Sequence, residues 1–154
     1  MIFRASLFVA VLGMASFAAY AAVDVVGPFA RATPPHAPNS AAFMVLSNDS
    51  DKKLSLVEAS TPVAGKVELH NHVMKDGMMQ MRQVKAIDIP ANGSTELKPG
   101  GLHVMLFNLS MPLKEGETLP LTLLFSDGSE ITREVPIRKV MAGATMEHNR
   151  ESAH

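Results

Sequence analysis

Cysteine is absent from all 154 residues, tryptophan is absent too, and one tyrosine accompanies seven phenylalanines. Without thiols there is no disulfide framework, no thiolate zinc site, no iron–sulfur cluster and no thiol nucleophile. A blue-copper electron-transfer centre needs a cysteine thiolate and is excluded as well. So is the lipidated cysteine of bacterial lipoproteins. Charge of one sign is equally scarce. The formal net charge is −1 with no basic block, which removes the electrostatic footprint of a nucleic-acid binder. No fixed-period repeat occurs, and beyond the N-terminal segment helical periodicity is weak.

What is present begins with an address. Met1-Ile2-Phe3-Arg4 supplies one positive charge, Ala5 to Ala19 is apolar, and Ala19-Tyr20-Ala21 fits the small-x-small pattern of signal cleavage. An uncleaved membrane anchor is the alternative, since apolar character runs on to Val23. The short charged start and small-residue ending favour a signal peptide over residues 1–21 and a protein working in the periplasm. Residues 22–138 then form one domain, long enough to bury well over half of the surface its unfolded chain exposes. From Lys139 to His154 the apolar pattern fades into a mobile tail.

Within the domain, short runs of Val, Ile, Leu and Phe recur between Gly, Pro, Asn and Asp. They predict strands at Val23–Arg31, Ala41–Asn48, Lys53–Ala59, Val67–Met74, Met79–Ala86, Ile87–Ile89 with Thr95–Leu97, His103–Leu109, Thr118–Phe125 and Glu130–Ile137. That spacing points to an all-β, antiparallel Greek-key sandwich. Asp76-Gly77 and Asp127-Gly128 can each take the φ > 0 geometry of a tight hairpin. Pro34-Pro35-His36-Ala37-Pro38 reads as a stiff loop.

Eleven methionines stand out, and several of them accompany histidine. Alternation along Val67–Met74 puts His70, His72 and Met74 on one face and Val67, Leu69, Asn71 and Val73 on the other, mostly apolar side. If Asp76-Gly77 is a two-residue turn, Lys75 opposes Met78, Met74 opposes Met79, His72 opposes Met81 and His70 opposes Gln83. His70 and Met81 become diagonal neighbours about 7–8 Å apart at the backbone. A register slip of one would send Met81 to the other face. His103 and Met105 likewise share a face, after a Pro99-Gly100-Gly101 approach that lets backbone come close. Each segment thus offers one imidazole and one thioether, and thioether narrows the metal towards Cu(I). Neutral ligands leave the ion a net +1 charge, which suits a site near solvent. Affinity should fall as pH drops through the ordinary histidine value of about 6.5.

Ten residues separate His70 from Met81, twenty-one separate Met81 from His103, and one separates His103 from Met105. This spacing resembles the signature of the periplasmic PCuAC copper chaperones. So do Ala30-Arg31-Ala32-Thr33-Pro34-Pro35, Glu68-Leu69-His70, Gly101-Leu102-His103-Val104-Met105-Leu106 and Pro112-Leu113-Lys114-Glu115-Gly116. The resemblance implies a cupredoxin-like or immunoglobulin-like sandwich with Cu(I) held by His70, Met81, His103 and Met105. It also implies delivery to the CuA centre of cytochrome c oxidase subunit II, in some cases together with a thiol-bearing chaperone. Some relatives bind further copper through a His/Met-rich C-terminal extension. Here that extension offers only Met141, Met146, His148 and His154, so Cu(II) binding by the tail competes with disorder without function.

Other residues have plainer readings. A lone methionine is usually flexible core filler, and packing is favoured over a copper-side apron for Met74, Met78 and Met79. His72 is either a spare ligand or an exposed imidazole, with exposure favoured, and His36 has no partner. Glu68, Glu115 and Glu117 fit solvent faces better than acid–base catalysis. Asn48-Asp49-Ser50, Asn92-Gly93-Ser94 and Asn108-Leu109-Ser110 match the glycosylation sequon, which only a eukaryotic secretory chain uses. Copper buffering without a dedicated acceptor is the main alternative to delivery. A copper redox enzyme is disfavoured because thioethers hold Cu(I) and work against rapid cycling. A plain exported adhesion sandwich remains if no copper binds.

Overall fold

The punctuated apolar runs become ten strands in the computed structural model, which describes residues 22–140. They are β1 (Val23–Arg31), β2 (Ser40–Asn48), β3 (Leu54–Ser60), β4 (Ala64–Lys75), β5 (Met78–Gln83), β6 (Ile87–Ile89), β7 (Gly93–Leu97), β8 (His103–Leu109), β9 (Thr118–Phe125) and β10 (Glu130–Arg138). Among the described residues no helix is long and apolar enough to cross a membrane. The expected all-β class holds. Strand pairing runs in the order β5-β4-β8-β2-β1-β10-β9-β3-β6, with β7 also beside β2. Every pairing is antiparallel except one: β1 meets β10 in parallel at Ala30↔Ile137 and Arg31↔Arg138. Two antiparallel sheets are therefore joined by a short parallel seam.

Inward residues of both sheets share one core. Leu46, Leu69, Val104 and Leu106 from the first sheet are buried in the same cluster as Leu56, Leu121, Leu123 and Val135 from the second. Each fully buried side chain of this size contributes about 2 kcal/mol. Val67 and Leu69 do face this core, as alternation along β4 requires. Ile87–Ile89 and Thr95–Leu97 part company: β6 pairs with β3 and β7 with β2.

Three local devices position the opposite, outer face of the first sheet. Asp76 (φ 51°) and Gly77 (φ 76°) form the expected two-residue turn, and the β4–β5 register follows, with His72↔Met81 and His70↔Gln83. Asp127-Gly128 differs. Only Gly128 takes positive φ, and the Phe125 amide donates to the Ser129 carbonyl, giving a longer loop with one left-handed glycine. Second, β7 and β8 lie end to end along one side of β2, pairing Met44–Asn48 and Ser40–Ala42 respectively. Residues 98–102 bulge out between them, closed by a Lys98 amide to Leu102 carbonyl bond. Third, β1 shifts register between Val26 and Phe29, at Gly27 (φ 58°). This extra residue flips the alternation. Ala30 turns into the core, while Phe29 comes to lie opposite Phe43 on the outer face.

Candidate metal centre

Four strands contribute to the outer-face site. On β8, His103 pairs with His70 of β4, and Met105 lies between Glu68 of β4 and Ala41 of β2. Met81 comes from β5, on the far side of β4 from β8. Its side chain spans β4, bringing Sδ to 3.2 Å from His103 Nε2. A cavity of about 240 Å³ opens here, and His72, Met81, His103 and Met105 line it together with Arg31 and Phe43. His70 is not among the lining residues; its ring centroid lies 5.9 Å from that of His103.

The hydrogen bonds settle which imidazole nitrogens are free. The Gly101 carbonyl can only accept, so His103 Nδ1–H donates to it at 2.9 Å, and Nε2 in the neutral ring keeps its lone pair beside the Met81 sulfur. Burial pushes the His103 pKa below its ordinary value, the Gly101 bond opposing and His72, His70 and Arg31 adding to the shift. Glu68 plays the corresponding part for His70. Its carboxylate accepts from His70 Nε2–H at 2.7 Å and from the Lys66 ammonium at 2.6 Å. These bonds, Lys66 first and His70 next, hold the Glu68 pKa below the usual carboxylate value. His70 Nδ1 is then left buried with no protein partner, and His72 Nδ1 is in the same position. Such orphaned nitrogens are costly unless something binds them.

Aromatic rings enclose the imidazoles. Phe43 and Phe107 lie 6.3 Å from His103 and 5.7 Å from His70, and Phe29 sits 5.2 Å from Phe43. Arg31 and Lys66 cover the Phe43 and Phe107 rings. No group of three or more His, Asp or Glu side chains is arranged to hold an ion among the described residues. The cavity does present the thioethers of Met81 and Met105 beside imidazole, and imidazole with thioether suits a soft monovalent ion.

Comparison with known proteins follows the same line. The profile of the LpqE-like family, described as "Putative lipoprotein LpqE-like", matches residues 23–137, nearly the whole sandwich. The chain belongs to the LpqE-like family. A relative from Leifsonia xyli subsp. xyli, named "Putative lipoprotein Lxx21020", is 37% identical over 100 residues. That match covers 64% of this chain but 60% of the relative, so the chain spans under two thirds of that protein's length. DR1885 from Deinococcus radiodurans, solved in solution in its CuI form, is 38% identical with a TM-score of 0.63, over 77% of this chain and 81% of that one. The copper-bound PCuAC domain from PmoF2 shares the fold with a TM-score of 0.67 at 21% identity, over 78% and 95% of the two chains. The resemblance to PCuAC proteins is thus borne out.

In this LpqE-like chain, Met81, His103 and Met105 meet at one cavity, and His70 adjoins them through His103. Three readings of the sequence need correction. His72 is half-buried and lines the cavity instead of standing free in solvent. Met74, Met78 and Met79 are 68%, 67% and 57% exposed, so they are not core packing; β5 is an edge strand, exposed along its whole length. Glu68 is no idle surface charge, because it fixes His70. Lys66, Glu68 and His70 alternate onto one face of β4, which is the signal that could have revealed the chain of contacts. Asn48 is buried and its amide is engaged by Lys52, so its sequon offers no free acceptor. The cleavage site at Ala21 and the tail residues Met141, Met146, His148 and His154 lie outside the described residues.

Proposed function

We propose that this protein is an exported Cu(I) carrier, which holds the ion with His70, Met81, His103 and Met105 and gives it up by ligand exchange. The observation that carries this reading is the 3.2 Å approach of Met81 Sδ to His103 Nε2 at the mouth of a cavity that Met105 also lines. The kinship with DR1885, solved as its CuI form, supports copper as the cargo. A shallow, uncharged donor set lets an acceptor replace ligands one at a time, so the carrier is a binding protein, not an enzyme. His70 would use Nδ1, with Glu68 holding the other nitrogen, as outer carboxylates commonly do for metal-bound histidines.

The lipoprotein names of the relatives, with the apolar N-terminal segment, support a location in the cell envelope. Cleavage after Ala21 and release into the periplasm complete that proposal, because no cysteine is available among the 154 residues to carry a lipid. The acceptor we assign is the CuA domain of cytochrome c oxidase subunit II. X-ray absorption on the reduced, copper-loaded protein tests the site: Met81→Ala is expected to lose sulfur scattering and His103→Ala nitrogen scattering. An unchanged coordination shell in both variants removes the assignment. Incubation with an apo CuA domain tests delivery, and copper retained by the carrier would favour buffering instead.

A further inference from the structure

The face of β4 carries one imidazole more than the proposed ligand set uses. We infer that His72 is also a copper ligand in this chain, exchanging with His70 for the place beside Met81, His103 and Met105. The inference rests on the Cu(I) carrier reading and extends it. His72 lines the cavity with those three residues, whereas His70 does not. Its ring centroid is 5.2 Å from His103, nearer than the 5.9 Å of His70. The register sets it directly opposite Met81, while His70 opposes Gln83. Its Nδ1 is buried without a protein partner, and a bound ion would satisfy a nitrogen that otherwise bears its desolvation alone.

The two histidines differ in restraint. His70 is almost fully buried and tied through Nε2 to the Glu68–Lys66 pair. His72 has no such tie and lies one register step nearer the exposed hairpin tip, where Met74 pairs with Met79. Three imidazoles and two thioethers exceed what one Cu(I) ion engages at once. The ion can therefore keep Met81 and His103 while its remaining nitrogen ligand changes from His70 to His72. That exchange moves the ion outward along β4, towards the side on which a partner can reach it.

Anaerobic titration of the full chain with Cu(I), against a chromogenic Cu(I) chelator, tests the inference. The parent is compared with His70→Ala, His72→Ala, the conservative His72→Gln and the double His70→Ala/His72→Ala variant. His72→Ala and His72→Gln are each expected to weaken binding by about tenfold, and the double variant by well over either single change. In nitrogen-resolved NMR of the parent, the ring nitrogens of His72 should shift on copper loading. Parent-like affinity in both His72 variants, with unmoved His72 ring signals, overturns the proposal. A loss in His72→Ala that Gln restores also overturns it, since packing alone would then explain the effect. A parent chain that takes up no Cu(I) sinks the carrier reading itself, a result separable from the other two.

Discussion

Glu68 decides which nitrogen of His70 is free. Its carboxylate accepts from Nε2–H, so the neutral ring presents Nδ1, and Lys66 holds the carboxylate in turn. Removing it leaves the ring free to rotate and to swap its proton between nitrogens. Glu68→Ala is expected to weaken Cu(I) binding by about 10–100-fold while leaving the fold intact, and the same chelator titration checks this. Unchanged affinity would show that the carboxylate plays no part. Asn48 is the structural counterpart. Its buried amide donates to the Lys52 carbonyl at 2.7 Å, and its oxygen accepts from the Ser50 amide and hydroxyl. Asn48→Ala strands those groups and should cost about 2 kcal/mol in urea unfolding, with copper affinity unmoved. The shared face of the residues proposed as ligands was legible because an Asp-Gly turn fixes register and register fixes faces. The role of Glu68 was written in the same alternation, yet a carboxylate two residues from a histidine is equally compatible with a solvent-facing position. Only the distance distinguishes them.

At the level of the elements, the bulge in β1 is the feature a straight reading of Val23–Arg31 conceals. Alternation alone keeps Val23, Val25, Gly27 and Phe29 on one face. The extra residue at Gly27-Pro28 reverses that, bringing Phe29 against Phe43 and Arg31 to the cavity rim. Gly-Pro inside an apolar run is a bulge signal, but it does not say which side the chain resumes on. Gly27 sits at φ 58° with no atom crowding a would-be Cβ, so substitution meets only the left-handed backbone penalty. Gly27→Ala is expected to lose about 1–2 kcal/mol, seen as a lowered thermal midpoint. A midpoint equal to the parent would mean that the bulge relaxes at no cost. The hairpin and the β7–β8 interruption were more legible, since Asp76-Gly77 and Pro99-Gly100-Gly101 name their own geometry. The separation of β6 from β7 into different sheets was not, because short apolar runs carry no mark of their partner strand.

For the molecule as a whole, the buried imidazole and the satisfied carboxylates set different acid limits. His103 has a pKa lowered chiefly by burial, so the unfolded chain takes up its proton first, near the ordinary value of about 6.5. Between there and the lower folded value the unfolded state binds more protons, and stability falls as pH falls through that window. Asp127 is lowered by the Ser129 hydroxyl and amide, and Asp88 by the Ser55 hydroxyl and then Lys53. Their contributions are complete above the ordinary carboxylate value of about 4 and disappear as pH falls through the folded ones. Because Asp88 and Asp127 are exposed, that second step is shallow. Thermal unfolding of the copper-free protein from about pH 8 to pH 3 should therefore show two declines, the first beginning near pH 6.5. His103→Gln should abolish the first and keep the second. Copper bound only by the folded state raises the midpoint, and burial displaces the His103 share of proton competition to below the ordinary value. That moves the acid edge of copper binding lower than the free-histidine expectation. A copper-free midpoint that stays level from about pH 7 to pH 5 would mean that His103 takes up its proton in the folded chain as readily as in the unfolded one.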